Sequence, residues 1–247
     1  MIVYPNAKIN LGLNILKRRE DGYHEISSIL YPVKQCVDIL EIVMSEKFEF
    51  TNSGIEIPYG ENLCIKAWKL LHSDFNISNV KIHLHKQIPI GAGLGGGSSD
   101  ASFTLKELNR MFNLRLSNKE LEAYALEIGA DCPFFIDNTP KLVEGIGDQM
   151  KDIDLDLEDY EIRLVNPGIH ISTKEAYSKV LPRIPKKGVE EYIKSDLSQW
   201  KGKLKNDFEN FVFEQYPNLK TIKEDLYNEG YIYVSMSGSG SVIFSIR

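Results

Sequence analysis

The sequence predicts an α+β protein built as two lobes that share a cleft. Three observations carry that expectation. The chain has 247 residues, 43% of them hydrophobic, which is enough to bury one large core or two modest ones. Its first sixty residues are dominated by period-two apolar patterns, whereas helical spacing prevails further on. A glycine-rich stretch, "PIGAGLGGGSSDAS" from Pro89 to Ser102, separates a strand pattern from two helix patterns.

Taken in order, "AKINLGLNI" sets Ile9, Leu11, Leu13 and Ile15 on alternate positions, and "EISSILYPV", "VDILEIVM" and "KFEFTN" continue as strands. "ENLCIKAWKLLHSDF" shifts to helical spacing through Leu63, Ala67, Leu70 and Leu71. "VKIHLHKQI" returns to period two, with Val80, Ile82 and Leu84 on one face and His83 and His85 beside Lys81 on the other, polar one. After the glycines, "SSDASFTLKELNRMF" and "SNKELEAYALEIGA" read as helices, each opened by an N-cap serine, and Ser117 with Glu120 has the spacing of a capping box. "KKGVEEYIKSDLSQWKGKLKNDFENF" reads as charged surface helices, with the loop "LPRIPKKG" at their boundary. "YIYVSM" and "SVIFSI" close the chain as strands around Gly238-Ser239-Gly240.

Charge and cysteine usage exclude several classes. With 29 Lys and Arg against 35 Asp and Glu, the net charge of -6 speaks against a general affinity for nucleic acid, so a phosphorylated substrate needs a local positive pocket. Three cysteines, Cys36, Cys64 and Cys132, have neither disulfide nor zinc spacing. Nowhere do about 18 apolar residues run together, so no membrane partner is expected. No transit segment precedes Met1, and a bacterial cytoplasm is the expected setting.

Gly91-Ala92-Gly93-Leu94-Gly95-Gly96 satisfies G-x-G-x-x-G, but a dinucleotide fold needs a second parallel strand after the helix, and here another helix follows. The loop is not a Walker A sequence either, because the required lysine is missing. What remains is a close backbone approach and the positive end of a helix starting near Ser98, which favour phosphate; a flexible turn is the plain alternative.

Four blocks in this order decide between them: "AKINLGLNILKRREDGYHEISSIL", "PIGAGLGGGSSDAS", "IGADCPFF" and "MSGSGSVIF". Together they resemble the GHMP kinases over most of the chain, and Lys8 and Asn10 followed by "DGYH" are the most specific part. The resemblance thins between about Pro182 and Gly202, where the chain is shorter than is usual for the family.

That resemblance implies a ribosomal protein S5 domain 2-like N-terminal lobe over residues 1–150, which carries the ATP loop, and a ferredoxin-like C-terminal lobe over 151–247. It implies phosphoryl transfer from ATP with Mg2+, in the branch acting on a cytidine diphosphate substrate, by a monomer or weak homodimer. A kinase for mevalonate, homoserine or a sugar, and a catalytically silent sensor, remain as alternatives. By the same resemblance Asp131 is the base, with Lys8 beside it. Asn10, Tyr23, His24, Thr173 and Tyr177 bind the substrate, the cytosine lying between Tyr23 and Tyr177. Ser237 to Gly240 touch its phosphate. Pro89, Ile90, Gly91, Ala92, Gly93, Leu94, Gly95, Gly96, Gly97, Ser98 and Ser99 hold the ATP phosphates, while "ENL" (residues 61–63, with Asn62 and Leu63) and Lys86 approach the adenine. The magnesium ligand is left open among Ser98, Ser99 and Asp100. Read without the family, Asp131 is an ordinary turn aspartate, Lys8 a snorkelling lysine and the tyrosines surface aromatics.

Overall fold

A computed structural model describes residues 1–58, 60 and 62–247. Compactness divides the chain into two units, one made of Met1–Ala7, Pro32–Ile90 and Gly95–Thr139, the other of Lys8–Tyr31, Gly91–Leu94 and Pro140–Arg247. The sequence expectation is two lobes divided after residue 150; the compact units themselves are interleaved along the chain. The cause is the length of two strands, β2 (Asn6–Arg18) and β3 (His24–Val37), each of which has residues in both units.

The first unit is a four-stranded sheet in the order β1-β4-β6-β5, from β1 (Ile2–Val3), β4 (Ile39–Met44), β5 (Glu49–Gly54) and β6 (Val80–Lys86). β5 and β6 run parallel, joined through helix α1 (Leu63–Phe75), and β4 pairs with β6 antiparallel. Strict alternation along β6 buries Val80, Ile82 and Leu84. These pack with Leu40, Ile42, Trp68, Leu71, Leu105, Leu108 and Leu121 into one core. Helices α2 (Gly96–Met111), α3 (Asn118–Ile128) and α4 (Phe134–Asp137) complete the unit. His83 and His85 lie on the opposite face of β6, bonded to Thr51 and Ser53.

Helix α3 opens as its sequence predicts: Ser117 caps Glu120 N–H, and the Glu120 carboxylate returns to Ser117 N–H at 2.8 Å. Helix α2 does not. It starts at Gly96, two residues before Ser98, and its N-cap is Gly95 in the left-handed region with no side-chain cap. Backbone freedom, rather than a serine hydroxyl, lets the chain enter this helix.

The second unit contains the sheet β2-β3-β7-β8, with β7 (Lys141–Glu144) and β8 (Gln149–Asp152), and the sheet β10-β11-β9, with β9 (Ile162–Val165), β10 (Tyr233–Met236) and β11 (Ile243–Ile246). Helices α5 (Thr173–Lys179), α6 (Val189–Ile193), α7 (Glu209–Gln215) and α8 (Pro217–Asn228) accompany them. Leu13, Ile15, Ile171, Phe208, Val212, Leu219, Val234 and Ile243 form its core. The segment expected to be surface helices is broken after α6 and again before α7, and Trp200, Asn206, Asp207 and Phe208 within it are buried. Its polar residues are bonded inward, Asp207 accepting from Ile15 N–H at 2.9 Å, which exposed helices would not allow.

Among the described residues no helix is long and apolar enough to cross a membrane. Leu105 has no exposed surface in the first core. Leu105→Ala should cost about 2–5 kcal/mol of stability and Ser117→Ala about 1 kcal/mol, read from urea midpoints at unchanged m-value.

Candidate active site

In the first unit, the features attributed to nucleotide binding gather at the start of α2. The first N–H groups of a helix have no intrahelical partner and attract anions. Here Gly97 is exposed and Ser98 half-buried, so this end is open to a ligand. A Cβ built on Gly97 would lie 3.7 Å from Leu63, which brings the first residue of α1 beside the loop. Asn62 is the N-cap of α1, and its side-chain oxygen accepts from Cys64 N–H at 2.8 Å. Glu61 lies outside the described residues.

Asp131 follows α3 in a short turn and is half-buried. The turn is tied to α2 through Ser102, whose hydroxyl donates to the Cys132 carbonyl at 2.7 Å and to the Ser98 carbonyl at 3.0 Å. Burial pushes the neighbouring Cys132 thiol up to about 11; the Asp131 charge adds to this rise, and a Ser98 hydrogen bond opposes it. Ser98 and Asp131 therefore flank one buried thiol, a hydroxyl and a carboxylate in the same small region.

Lys86, which the resemblance places near the adenine, is buried. It continues the buried face of β6 and is 3% exposed, with its ammonium between the carboxylates of Asp38 and Asp100. Burial opposes its charge, but the two carboxylates outweigh burial and raise its pKa. Ser99 is also buried, and its hydroxyl makes no hydrogen bond. Of the three residues left open as metal ligands, Ser98 is the accessible one, since Asp100 Oδ2 is bound to Lys86 at 2.7 Å.

In the second unit, Lys8 and Asn10 stand on β2 as the period-two spacing predicts, both buried. The Lys8 ammonium donates to Asn10 Oδ1 at 2.6 Å, and Asn10 Nδ2 donates to Ser28 Oγ at 2.9 Å. Ser28 in turn donates to the Gly12 carbonyl at 2.6 Å. The amide of Asn10 is thus fixed from both ends, and it fixes the lysine.

The same network holds residues 91–94 of the glycine loop. Lys8 N–H donates to the Leu94 carbonyl at 2.9 Å, and the Ser237 hydroxyl donates to the Gly93 carbonyl at 2.8 Å while accepting from Asn10 N–H at 3.3 Å. Asn206 Nδ2 donates to the carbonyls of Met236 and Gly238, 2.8 Å each, and so shapes the second glycine turn. At Gly93 φ is +83°, and a Cβ there would lie 2.0 Å from the Ser237 carbonyl oxygen. Only glycine fits.

On the substrate side, the turn before β3 is closed by Asp21, which accepts from Tyr23 N–H at 3.1 Å. Tyr23 is 62% exposed. The Tyr177 ring lies between two others, meeting Phe208 edge-on with centroids 4.9 Å apart and His24 at a tilt with centroids 5.2 Å apart. Burial, and then the Arg18 charge, lower the His24 pKa, so the ring stays neutral near pH 7 with one donor and one acceptor nitrogen. Thr173, at the start of α5, shares a 3.0 Å hydrogen bond with Ser239. Ser28 and Asn206 were not singled out from the sequence: an inward serine on an apolar strand and one asparagine in a charged run carry no periodic signal.

These features define a class. The model of the GHMP kinases N terminal domain matches residues 62–138 and that of the GHMP kinases C terminal matches residues 189–246. The chain belongs to the GHMP kinases, ATP-dependent enzymes acting on small molecules. Within that class it is similar to the 4-diphosphocytidyl-2-C-methyl-D-erythritol kinases of Azobacteroides pseudotrichonymphae genomovar. CFP2 and Cytophaga hutchinsonii. Each is 50% identical to it over 249 residues, covering all of this chain and 93% and 92% of theirs. A crystal structure of 4-(cytidine 5'-diphospho)-2C-methyl-D-erythritol kinase matches with a TM-score of 0.85 at 33% identity, covering 100% of this chain and 90% of that one.

The Gly93 contact gives a direct test of the loop. Gly93→Ala should weaken ATP binding by about 10-fold or more, since left-handed strain alone costs on the order of 1–3 kcal/mol before the overlap with Ser237 is counted; calorimetric titration of ATP is the check.

Proposed function

We propose that this chain transfers the γ-phosphoryl group of ATP to the 2-hydroxyl of 4-diphosphocytidyl-2-C-methyl-D-erythritol, a step of the non-mevalonate route to isoprenoid precursors. The observation that carries the reading is 50% identity over the whole chain to kinases of that name.

In this reading the first unit receives ATP. The exposed Gly97 and the opening N–H groups of α2 accept its phosphates, and Leu63 with Asn62 faces the base. Phosphoryl transfer asks chiefly for alignment of the attacking oxygen and neutralisation of charge. Asp131 takes the proton of the substrate hydroxyl. Lys8, held by Asn10, supplies positive charge to the developing alkoxide. The cytosine lies against the Tyr177 face, with His24 presenting a donor and an acceptor to its polar edge, while the exposed Tyr23 closes over it from the turn. Thr173 and the Ser237–Gly240 turn serve the diphosphate.

Magnesium fits this site as an ion brought by ATP rather than one held in a cage. No group of three or more His, Cys, Asp or Glu able to hold a metal occurs among the described residues, and magnesium is commonly held by phosphates, water and one or two protein oxygens. Ser98, a hard oxygen donor at the open end of α2, would hold it, with Asp131 flanking the same region. The ion would neutralise charge on the β and γ phosphates.

The experiment is ATP consumption by the purified protein with magnesium and the cytidine substrate, beside mevalonate, homoserine and galactose. Turnover confined to the cytidine compound supports the proposal. Turnover with another alcohol overturns the substrate, and ATP binding without turnover points to a sensor.

Asp131→Ala should lower kcat by about 100-fold or more with ATP affinity near normal. Tyr177→Ala and Tyr23→Ala should each weaken cytidine-substrate binding by about 1–3 kcal/mol, as expected for loss of base stacking. An unchanged dissociation constant for either variant would remove that tyrosine from the site.

A further inference from the structure

We propose that Asp38, Lys86 and Asp100 are positioning residues that clamp both ends of the phosphate-binding loop through one buried charge cluster. The inference rests on the glycine loop holding the ATP phosphates, and it assigns work to side chains that touch no substrate.

Asp38 is the single residue between β3 and β4, and it has no exposed surface. Its Oδ1 accepts two backbone N–H bonds, from Gln87 at 2.5 Å and Ile88 at 2.8 Å, the two residues that lead from β6 into Pro89. Its Oδ2 pairs with the Lys86 ammonium. That ammonium also donates to Asp100 Oδ2 at 2.7 Å, in the opening turns of α2. The entry to the loop is therefore bonded to Asp38, its exit to Lys86, and the two are bonded to each other.

A second observation shows how tightly the exit is seated. A Cβ on Gly96, the first residue of α2, would lie 2.9 Å from Lys86 Nζ and 2.8 Å from Ile88 Cγ2. The backbone of the helix start rests directly on the ammonium and on the strand exit, with no room for a side chain. The position of the first free N–H groups of α2 is thereby set by where Lys86 sits.

Stability alone does not account for this arrangement. Removing charges from water is expensive, and apolar residues of similar volume commonly serve a fold as well as or better than a buried ion pair. What such residues cannot do is bond two N–H groups at one end of a loop and reach a carboxylate at the other. Geometry is the gain.

The test compares Asp38→Asn, Asp100→Asn and Lys86→Met with the active wild-type enzyme, measuring KM for ATP, KM for the alcohol substrate, kcat and the thermal midpoint. A clamp predicts that all three lower kcat/KM for ATP by about 10-fold or more, because small misplacements of a positioning element are costly. KM for the alcohol should stay within about 2-fold, since the cluster belongs to the phosphate loop alone. The triple variant Asp38→Asn/Lys86→Met/Asp100→Leu, which leaves none of the three charges behind, should regain thermal stability but not ATP affinity. Recovery of both would show that the charges only support the fold and would overturn the proposal. A defect confined to Lys86→Met would mean that the lysine contacts nucleotide itself, and would overturn it equally. Absence of ATP turnover in the wild type would instead refute the kinase reading on which the inference rests.

Discussion

Everything around the glycine loop depends on backbone approaching its neighbours more closely than a Cβ permits. At Gly93 the main chain lies against the Ser237 carbonyl, and at Gly96 it lies on the Lys86 ammonium and Ile88. A glycine pays more conformational entropy on folding than other residues, so a run of them orders only where surrounding groups fix each one. In this chain each unit provides its own fixing set. Hydroxyl and amide groups from β2 and the Ser237 turn hold residues 91–94, and a charge cluster holds the start of α2.

The two sets differ in kind. The bonds around Asn10 join an amide, two hydroxyls and backbone carbonyls, and they leave Lys8 with a neutral partner at Asn10. A carboxylate in the place of Asn10 would add a charge beside the ammonium, whereas an amide orients it without one. The Lys86 cluster has the opposite character. One ammonium is shared by two carboxylates in the interior, burial pushes the Asp100 carboxyl up to about 7 against the pull of that ammonium, and no positive field is left over for a ligand. One lysine is oriented by a neutral amide, the other by two carboxylates.

The fold was legible wherever a period was long enough to read. The alternation of β6 and the Ser117–Glu120 capping box appear in the structure as written, and the second helix after the glycines correctly ruled out a dinucleotide fold. The same alternation places Lys86 on the face of Val80, Ile82 and Leu84, so its burial is legible in the spacing. The start of α2 was misread because a serine cap is a local signal, whereas the glycine that begins this helix is selected by contacts with distant residues. Ser28, Asp38 and Asn206 were beyond reach for the same reason: each satisfies backbone groups far away in sequence, and composition records nothing of that. The interleaving of the two units was hidden by the assumption that a strand belongs to one body, which β2 and β3 do not respect.

The burial of the Cys132 thiol beside Asp131 has a consequence for its reactivity. Oxidants and alkylating agents attack thiolates rather than thiols. With burial pushing its thiol up to about 11, Cys132 stays protonated at pH 7. Burial, imposed by the packing of one turn against α2, therefore keeps this sulfur in its less nucleophilic form.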